Sequence, residues 1–195
     1  KNILCTLEKA LLPGPSITRL HLNLESSMDG LEEGFRSDAV VLIFPLYVDA
    51  LPSHLLRYLH AMERAIVENN IRTTLYAIVN SGFYDAHQNR HALEMLKIFC
   101  EKTGLMYGQG LGLGGGGMCE GMPISDGPLR PFQRAIEALA GNILAGMRAE
   151  DLYTTPAFPR ALYKFAAEQG MLAQARKNGV SKRDIRRRTG YGEED

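Results

Sequence analysis

The chain has 195 residues, 45% of them hydrophobic and 23% charged, enough for one large core and at most one domain with an appendage. Lys plus Arg and Asp plus Glu both number 22, so the formal net charge is zero and no global field draws the chain to nucleic acid or to an anionic membrane. Cys5, Cys100 and Cys119 are odd in number and widely spaced, which excludes a disulfide framework and a C-x-x-C pair and fits a reducing cytoplasm. No apolar stretch approaches the roughly 20 residues of a bilayer span and no secretory leader is visible, so a soluble protein is expected.

Lys1 stands where an initiator methionine would, and Ile3, Leu4, Leu7 and Leu11 follow at once in a helical pattern, so a segment upstream of Lys1 is expected. Pro13-Gly14-Pro15 breaks the chain. Ser16 to Leu22 then alternates Ile17, Leu20 and Leu22 with polar residues, which predicts an exposed or edge strand. A short helix over Glu25 to Gly34 leads to Ala39-Val40-Val41-Leu42-Ile43-Phe44, apolar at every position, as in a strand covered on both faces. Pro52 suits a first helical turn, and Leu55, Leu59, Met62 and Ile66 repeat on one face after it.

Thr73 to Val79 is the next strand, ending at Asn80-Ser81-Gly82, and Ala92, Leu93, Leu96, Phe99 and Cys100 mark the next helix. A third strand over Leu105 to Leu113 precedes a helix carrying Phe132, Ile136, Leu139, Ile143 and Met147, with no helix expected between Gly117 and about Leu129. Strands alternating with helices predict a parallel sheet, and right-handed crossovers make it a three-layer doubly wound α/β fold with its ligand site at the carboxyl ends of the strands. Residues 1–150 form this domain. From residue 151 the prolines at 156 and 159, a docking helix with Leu162, Phe165, Ala166 and Leu172, and a basic tail from Arg176 to Arg188 read as a helical appendage.

Three loops sit where such a sheet presents its site. The first runs from Pro45 to Pro52: the prolines stiffen it, Leu46 and Val48 offer apolar surface for a flat ring, and Tyr47 can stack or donate a hydrogen bond. By position and composition it is either a ligand loop or a surface loop with a packing tyrosine. The second runs from Asn80 to Gln88, with amide and hydroxyl groups on Asn80 and Ser81, close backbone approach at Gly82, and rings on Phe83 and Tyr84. His87 is a weak candidate for proton transfer beside the commoner role of contacting a helix start. The third is the glycine run from Gly108 to Gly117, in which Gly114 to Gly117 allow backbone to approach a ligand or a partner subunit, with Gly115 placed at the ligand.

Gly110 to Gly115 formally matches G-x-G-x-x-G, but it follows the wrong strand and opens no long helix, so a dinucleotide fingerprint is excluded. The chain has no G-x-S-x-G elbow and no His or Cys cluster at metal-ligand spacing, and its strands end in Pro45 and Asn80 rather than in the paired acids of a receiver domain.

With the two aromatic loops in view, the chain resembles the flavodoxin-like, NAD(P)H-dependent FMN oxidoreductases, on Phe44 to Pro52 with its helix and on Asn80 to Gln88 with its helix. Ala157-Phe158-Pro159-Arg160 and Ala175 to Gly179 are similar to the terminal extension of one branch of that family. The resemblance implies an FMN whose ring lies along Leu46 to Asp49 on its pyrimidine side and along Asn80 to Tyr84 on the other. It also implies hydride passing from NAD(P)H through the flavin to a small acceptor such as a quinone, a nitro or azo compound or free flavin. Apolar Leu162, Phe165 and Leu172 of the appendage, or the glycine loop, could meet a second subunit, so a homodimer is expected, with no nucleic-acid or membrane partner.

The departure from the family is at the start. The first strand and the Ser- and Thr-rich loop that cradles the FMN phosphate are lacking, and are expected upstream of Lys1. In the strand order 2-1-3-4-5 that first strand is central, so the edge it would fill is left open. Two other readings of the same fold are a flavodoxin-type electron carrier and a cofactor-free interaction module.

Overall fold

The computed structural model describes residues 2–22, 28–181 and 184. It contains two compact units, the first extending to Ala157 and the second beginning at Phe158. The first unit is built from α1 (Asn2–Leu11), α2 (Met28–Phe35), β1 (Ala39–Pro45), α3 (Ser53–Glu68), β2 (Thr74–Asn80), α4 (Arg90–Thr103), β3 (Met106–Leu113), α5 (Met118–Gly121), α6 (Arg130–Leu144) and β4 (Leu152–Thr154). The four strands form one parallel sheet in the order β1-β2-β3-β4. Helices cover both faces, which is the α/β doubly wound architecture expected.

Alternation of side chains across the pleat divides the core in two. Leu75, Ala77 and Val79 of β2 face the helices α3 and α4, with Leu55, Leu59, Met62, Leu93 and Leu96. Tyr76 and Ile78 face the opposite layer, where α1 supplies Ile3, Leu7 and Leu11 and α6 supplies Phe132, Ile136 and Leu139. Every residue of β2 from Thr74 to Val79 and of β3 from Gly108 to Leu113 is buried, so these two strands are covered on both faces.

β1 departs from that expectation. Only Leu42 and Phe44 are buried in it, and Ala39, Val40, Val41 and Ile43 are partly exposed. The reason is its place at the edge. Asp38 O accepts from Thr74 N (3.2 Å) and Leu46 N donates to Asn80 O (2.9 Å), so the even-numbered residues bond to β2. Ala39, Val41 and Ile43 therefore turn their N–H and C=O groups outward, and no strand among the described residues meets them.

The strand expected over Ser16 to Leu22 is not formed. These residues are irregular and mostly exposed, without sheet pairing. A strand exists only by its ladder, and alternation of apolar residues cannot supply a partner. Arg19 instead forms an ion pair with Glu8 of α1, and Leu22 packs onto the α3 layer. The expected helix over Glu25 to Gly34 lies partly outside the described residues; its described part belongs to α2. The short α5 is a further correction, since no helix was expected before Leu129. β4 belongs to the sheet, so the first unit extends past the expected boundary at residue 150.

The second unit contains α7 (Arg160–Lys177), in which no residue is buried and Leu162, Phe165 and Met171 are exposed. The basic tail expected from Arg176 to Arg188 lies partly outside the described residues. No helix among the described residues is long and apolar enough to cross a membrane.

Candidate functional site at the carboxyl ends of the strands

Pro45, Asn80, Leu113 and Thr154 stand in one row across the sheet: Pro45 is in register with Asn80, Asn80 with Leu113, and Leu113 with Thr154. The residue after each of the first three strands donates its N–H to the last residue of the neighbouring strand. Leu46 N reaches Asn80 O at 2.9 Å, Ser81 N reaches Leu113 O at 2.8 Å, and Gly114 N reaches Thr154 O at 3.0 Å. The three candidate loops therefore leave the sheet side by side, at the edge where an open α/β sheet presents ligands.

The first loop is a tight two-residue reversal. Tyr47 N donates to Ala50 O (3.2 Å) and Ala50 N to Tyr47 O (3.0 Å), with Val48 at φ 48° and Asp49 at φ 59° between them. Both central residues are left-handed, as a type I′ turn demands, but the turn's usual occupants are Asn and Gly. A β-branched residue there is strained. Val48 is 98% exposed and Tyr47 58% exposed, whereas Leu51 is buried beneath them and roots the loop in the core. The N–H groups of Val48 and Asp49, at the tip, take no part in the turn's own hydrogen bonds. Those of Leu46 and Tyr47 are engaged within the protein.

The second loop is held from within. Ser81 is buried, and its Oγ accepts from Phe83 N at 3.0 Å. Phe83 is 58% exposed beside it. Asn80 Oδ1 is buried and has no hydrogen-bond partner in the protein. Asp85 Oδ1 accepts from His87 N (2.9 Å) and starts a 3-10 turn over Ala86–Asn89. The His87 ring stacks on Tyr153 with centroids 4.5 Å apart and 23° between planes. That stack accounts for His87 as a packing residue.

The glycine run turns out to serve the second loop. Gly115 N donates to Phe83 O and Gly116 N to Ser81 O. A Cβ on Gly114 would fall 2.3 Å from Tyr84 O, and one on Gly116 would fall 1.7 Å from Asn80 Oδ1. Gly114 is pressed on backbone and Gly116 on the Asn80 side chain, so both glycines answer a close approach inside the chain. Gly115 is buried and its N–H is used, which leaves no amide there for a ligand. Asn89 was not anticipated. Its buried Nδ2 donates to Ala86 O (2.9 Å) and Leu113 O (3.1 Å), joining the 3-10 turn to the end of β3; an Asn just before an apolar helical run was the available signal.

Electrostatically the rim is acidic and aromatic rather than basic, with Asp49 and Asp85 exposed in the first two loops. Behind it, Asp151 Oδ2 pairs with Lys97 Nζ at 2.9 Å, which raises the Lys97 pKa above its ordinary value. Burial, aided by Asp151, raises that of Tyr153. No group of His, Cys, Asp and Glu among the described residues could hold a metal ion.

A flavin fits part of this arrangement. Exposed Tyr47, Val48 and Phe83 offer apolar and aromatic surface, and the amides at the first turn's tip together with the unpaired Asn80 oxygen offer polar groups. For a phosphate, the start of α1 lies at the same end of the sheet, since Asn2 Nδ2 donates to Cys119 O of α5 at 2.6 Å. A separate groove of about 560 Å³ between α1, α6 and residues 121–125 contains none of the predicted site residues.

No family model and no curated protein matches the chain. Among solved structures it is similar to the crystal structure of an NADPH-quinone reductase from P. pentosaceus, with a TM-score of 0.53 and 16% sequence identity over 72% of this chain and 89% of that one. At that identity the likeness establishes the flavodoxin-like fold.

Proposed function

We propose that this chain serves an FMN-dependent oxidoreductase that passes hydride from NAD(P)H to a small acceptor such as a quinone, a nitro or azo compound or free flavin. The observation that carries the reading is the strained turn at Val48 and Asp49, held in register beside Asn80 to Tyr84 at the carboxyl edge of a parallel sheet. Backbone strain of this kind concentrates at ligand sites, where the surrounding fold maintains it. The fold of the NADPH-quinone reductase supports the same reading.

In this account the protein contributes orientation and shelter, while a bound flavin supplies the redox chemistry. Tyr47 and Val48 cover one side of the ring. The tip amides of Val48 and Asp49 face its polar edge, and Asn80 with Phe83 bounds the other side. No side chain is assigned a nucleophile or a proton. The three free cysteines accord with a reducing, cytoplasmic setting, and the exposed apolar residues of α7 accord with a homodimer. NAD(P)H oxidation by the flavin-loaded protein, followed with a quinone acceptor, tests the enzymatic reading: turnover supports it, and flavin binding with almost no turnover indicates an electron carrier instead.

A further inference from the structure

One buried carboxylate outside the loops connects to two of them, the Asn80–Gln88 loop and the glycine run. The Asp151 side chain is 6% exposed: its Oδ1 accepts from Tyr107 Oη at 2.9 Å and from Gly110 N at 2.8 Å, and its Oδ2 is ion-paired with Lys97 Nζ at 2.9 Å. Its donors come from β3 and α4, and Asp151 itself directly precedes β4. That strand pairs with β3 at three positions only, Leu152, Tyr153 and Thr154. A ladder so short holds weakly by itself. Yet β4 carries two contacts on which the loops depend: Thr154 O receives Gly114 N, and the Tyr153 ring receives His87. From Gly114 the path continues through Gly115 and Gly116 to Phe83 O and Ser81 O.

We propose that Asp151 is a positioning residue for the strand-end site: its carboxylate locks β4 to β3 and α4, and β4 in turn sets the glycine run and the Asn80–Tyr84 loop that rests on it. A buried carboxylate costs desolvation energy that an apolar residue would not, and here two hydrogen bonds on Oδ1 and the Lys97 ion pair on Oδ2 offset that cost. Here those donors fix one placement of β4, where apolar packing would accept several. The importance of this lock to catalysis rests on the flavin reading; the lock itself does not.

Amide hydrogen exchange on the full chain, resolved by residue, tests it. In Asp151→Ala, the amides of Ser81, Gly114, Gly115 and Gly116 are expected to exchange about tenfold faster, while those of α1 and α6 keep wild-type rates. Asp151→Asn keeps an oxygen for Tyr107 and Gly110, and is expected to restore most of the protection. Lys97→Met, which leaves that oxygen in place, is expected to produce a smaller acceleration at the same four amides. FMN affinity should fall in the same order. Acceleration confined to residues 150–154, or spread equally over α1 and α6, overturns the proposal, as does Asp151→Asn behaving like Asp151→Ala. Should the alanine variant not fold, the same four amides in Asp151→Asn and Lys97→Met decide it. Absence of FMN binding in the wild type would instead count against the flavin reading, and leaves the exchange result to stand or fall alone.

Discussion

The backbone of Gly116 lies so close against the amide of Asn80 that a Cβ on it would fall 1.7 Å from Asn80 Oδ1. Two site loops are thereby locked at a point where neither can yield, since the Asn80 side chain is short and its oxygen buried. Gly116→Ala is expected to destabilise the fold by about 1–3 kcal/mol, the usual range for overpacking. Combining it with Asn80→Ala should recover part of that loss, with a coupling of at least about 0.5 kcal/mol in a double-mutant cycle from urea unfolding. Strict additivity would show that the two residues do not touch.

Alkaline stability follows from buried acids. Burial raises the Cys100 thiol from 9.0 to about 12, and burial also raises Tyr76 above its ordinary 10.0. In each case the folded state keeps a proton that the unfolded chain releases. This contribution is complete below the unfolded pKa and is lost as pH rises toward the folded one. Unfolding free energy should therefore decline from about pH 9, with a slope of up to about 1.4 kcal/mol per pH unit from one such group. Cys100→Ala should flatten the limb between roughly pH 9 and 10, where the tyrosines have yet to contribute. An unchanged slope in that variant would contradict the assignment.

Val48 occupies the left-handed region that Asn tolerates and Val resists. Val48→Asn should stabilise the free protein by about 1 kcal/mol and at the same time weaken flavin binding through loss of apolar surface. Thermal unfolding and a binding titration on one preparation measure both. Loss of stability would show that the Val48 side chain supports the fold.

Leu162 and Phe165 are exposed on α7. If this helix joins two copies, sedimentation at micromolar concentration should give a dimer for the wild type and a monomer for Leu162→Glu/Phe165→Glu. A wild type that remains monomeric refutes the proposal.

Much of the fold could be read locally. The apolar runs of β1 and β2 declare strands, and the spacing of Leu55, Leu59, Met62 and Ile66 in α3 declares a helix, without reference to the rest of the chain, but which of the two strands is covered on both faces depends on their place in the sheet. The features that escaped depend on partners distant in sequence. Ser16 to Leu22 has the pattern of a strand and, among the described residues, no strand to pair with. Leu152 to Thr154 is too short to carry a pattern, and is recruited by β3 and by the contacts of Asp151. In the site, the position of Tyr47 and Phe83 at strand ends was legible from the alternation of elements. The left-handed Val48 was not, because nothing in its neighbours announces the turn. The glycine run was recognisable as a close approach, but the surface it approaches, Asn80 to Ala86, emerges only in three dimensions.

The central claim, that the first two loops hold an isoalloxazine ring, is tested most directly by titrating the chain against FMN and against riboflavin and following quenching of flavin fluorescence. Because the described residues supply surfaces for the ring, both ligands should quench, with affinities within about tenfold of each other. Tyr47→Ala and Phe83→Ala should each weaken both by about 1 kcal/mol. Absence of quenching with either ligand, or quenching that these two substitutions leave unchanged, would contradict the account.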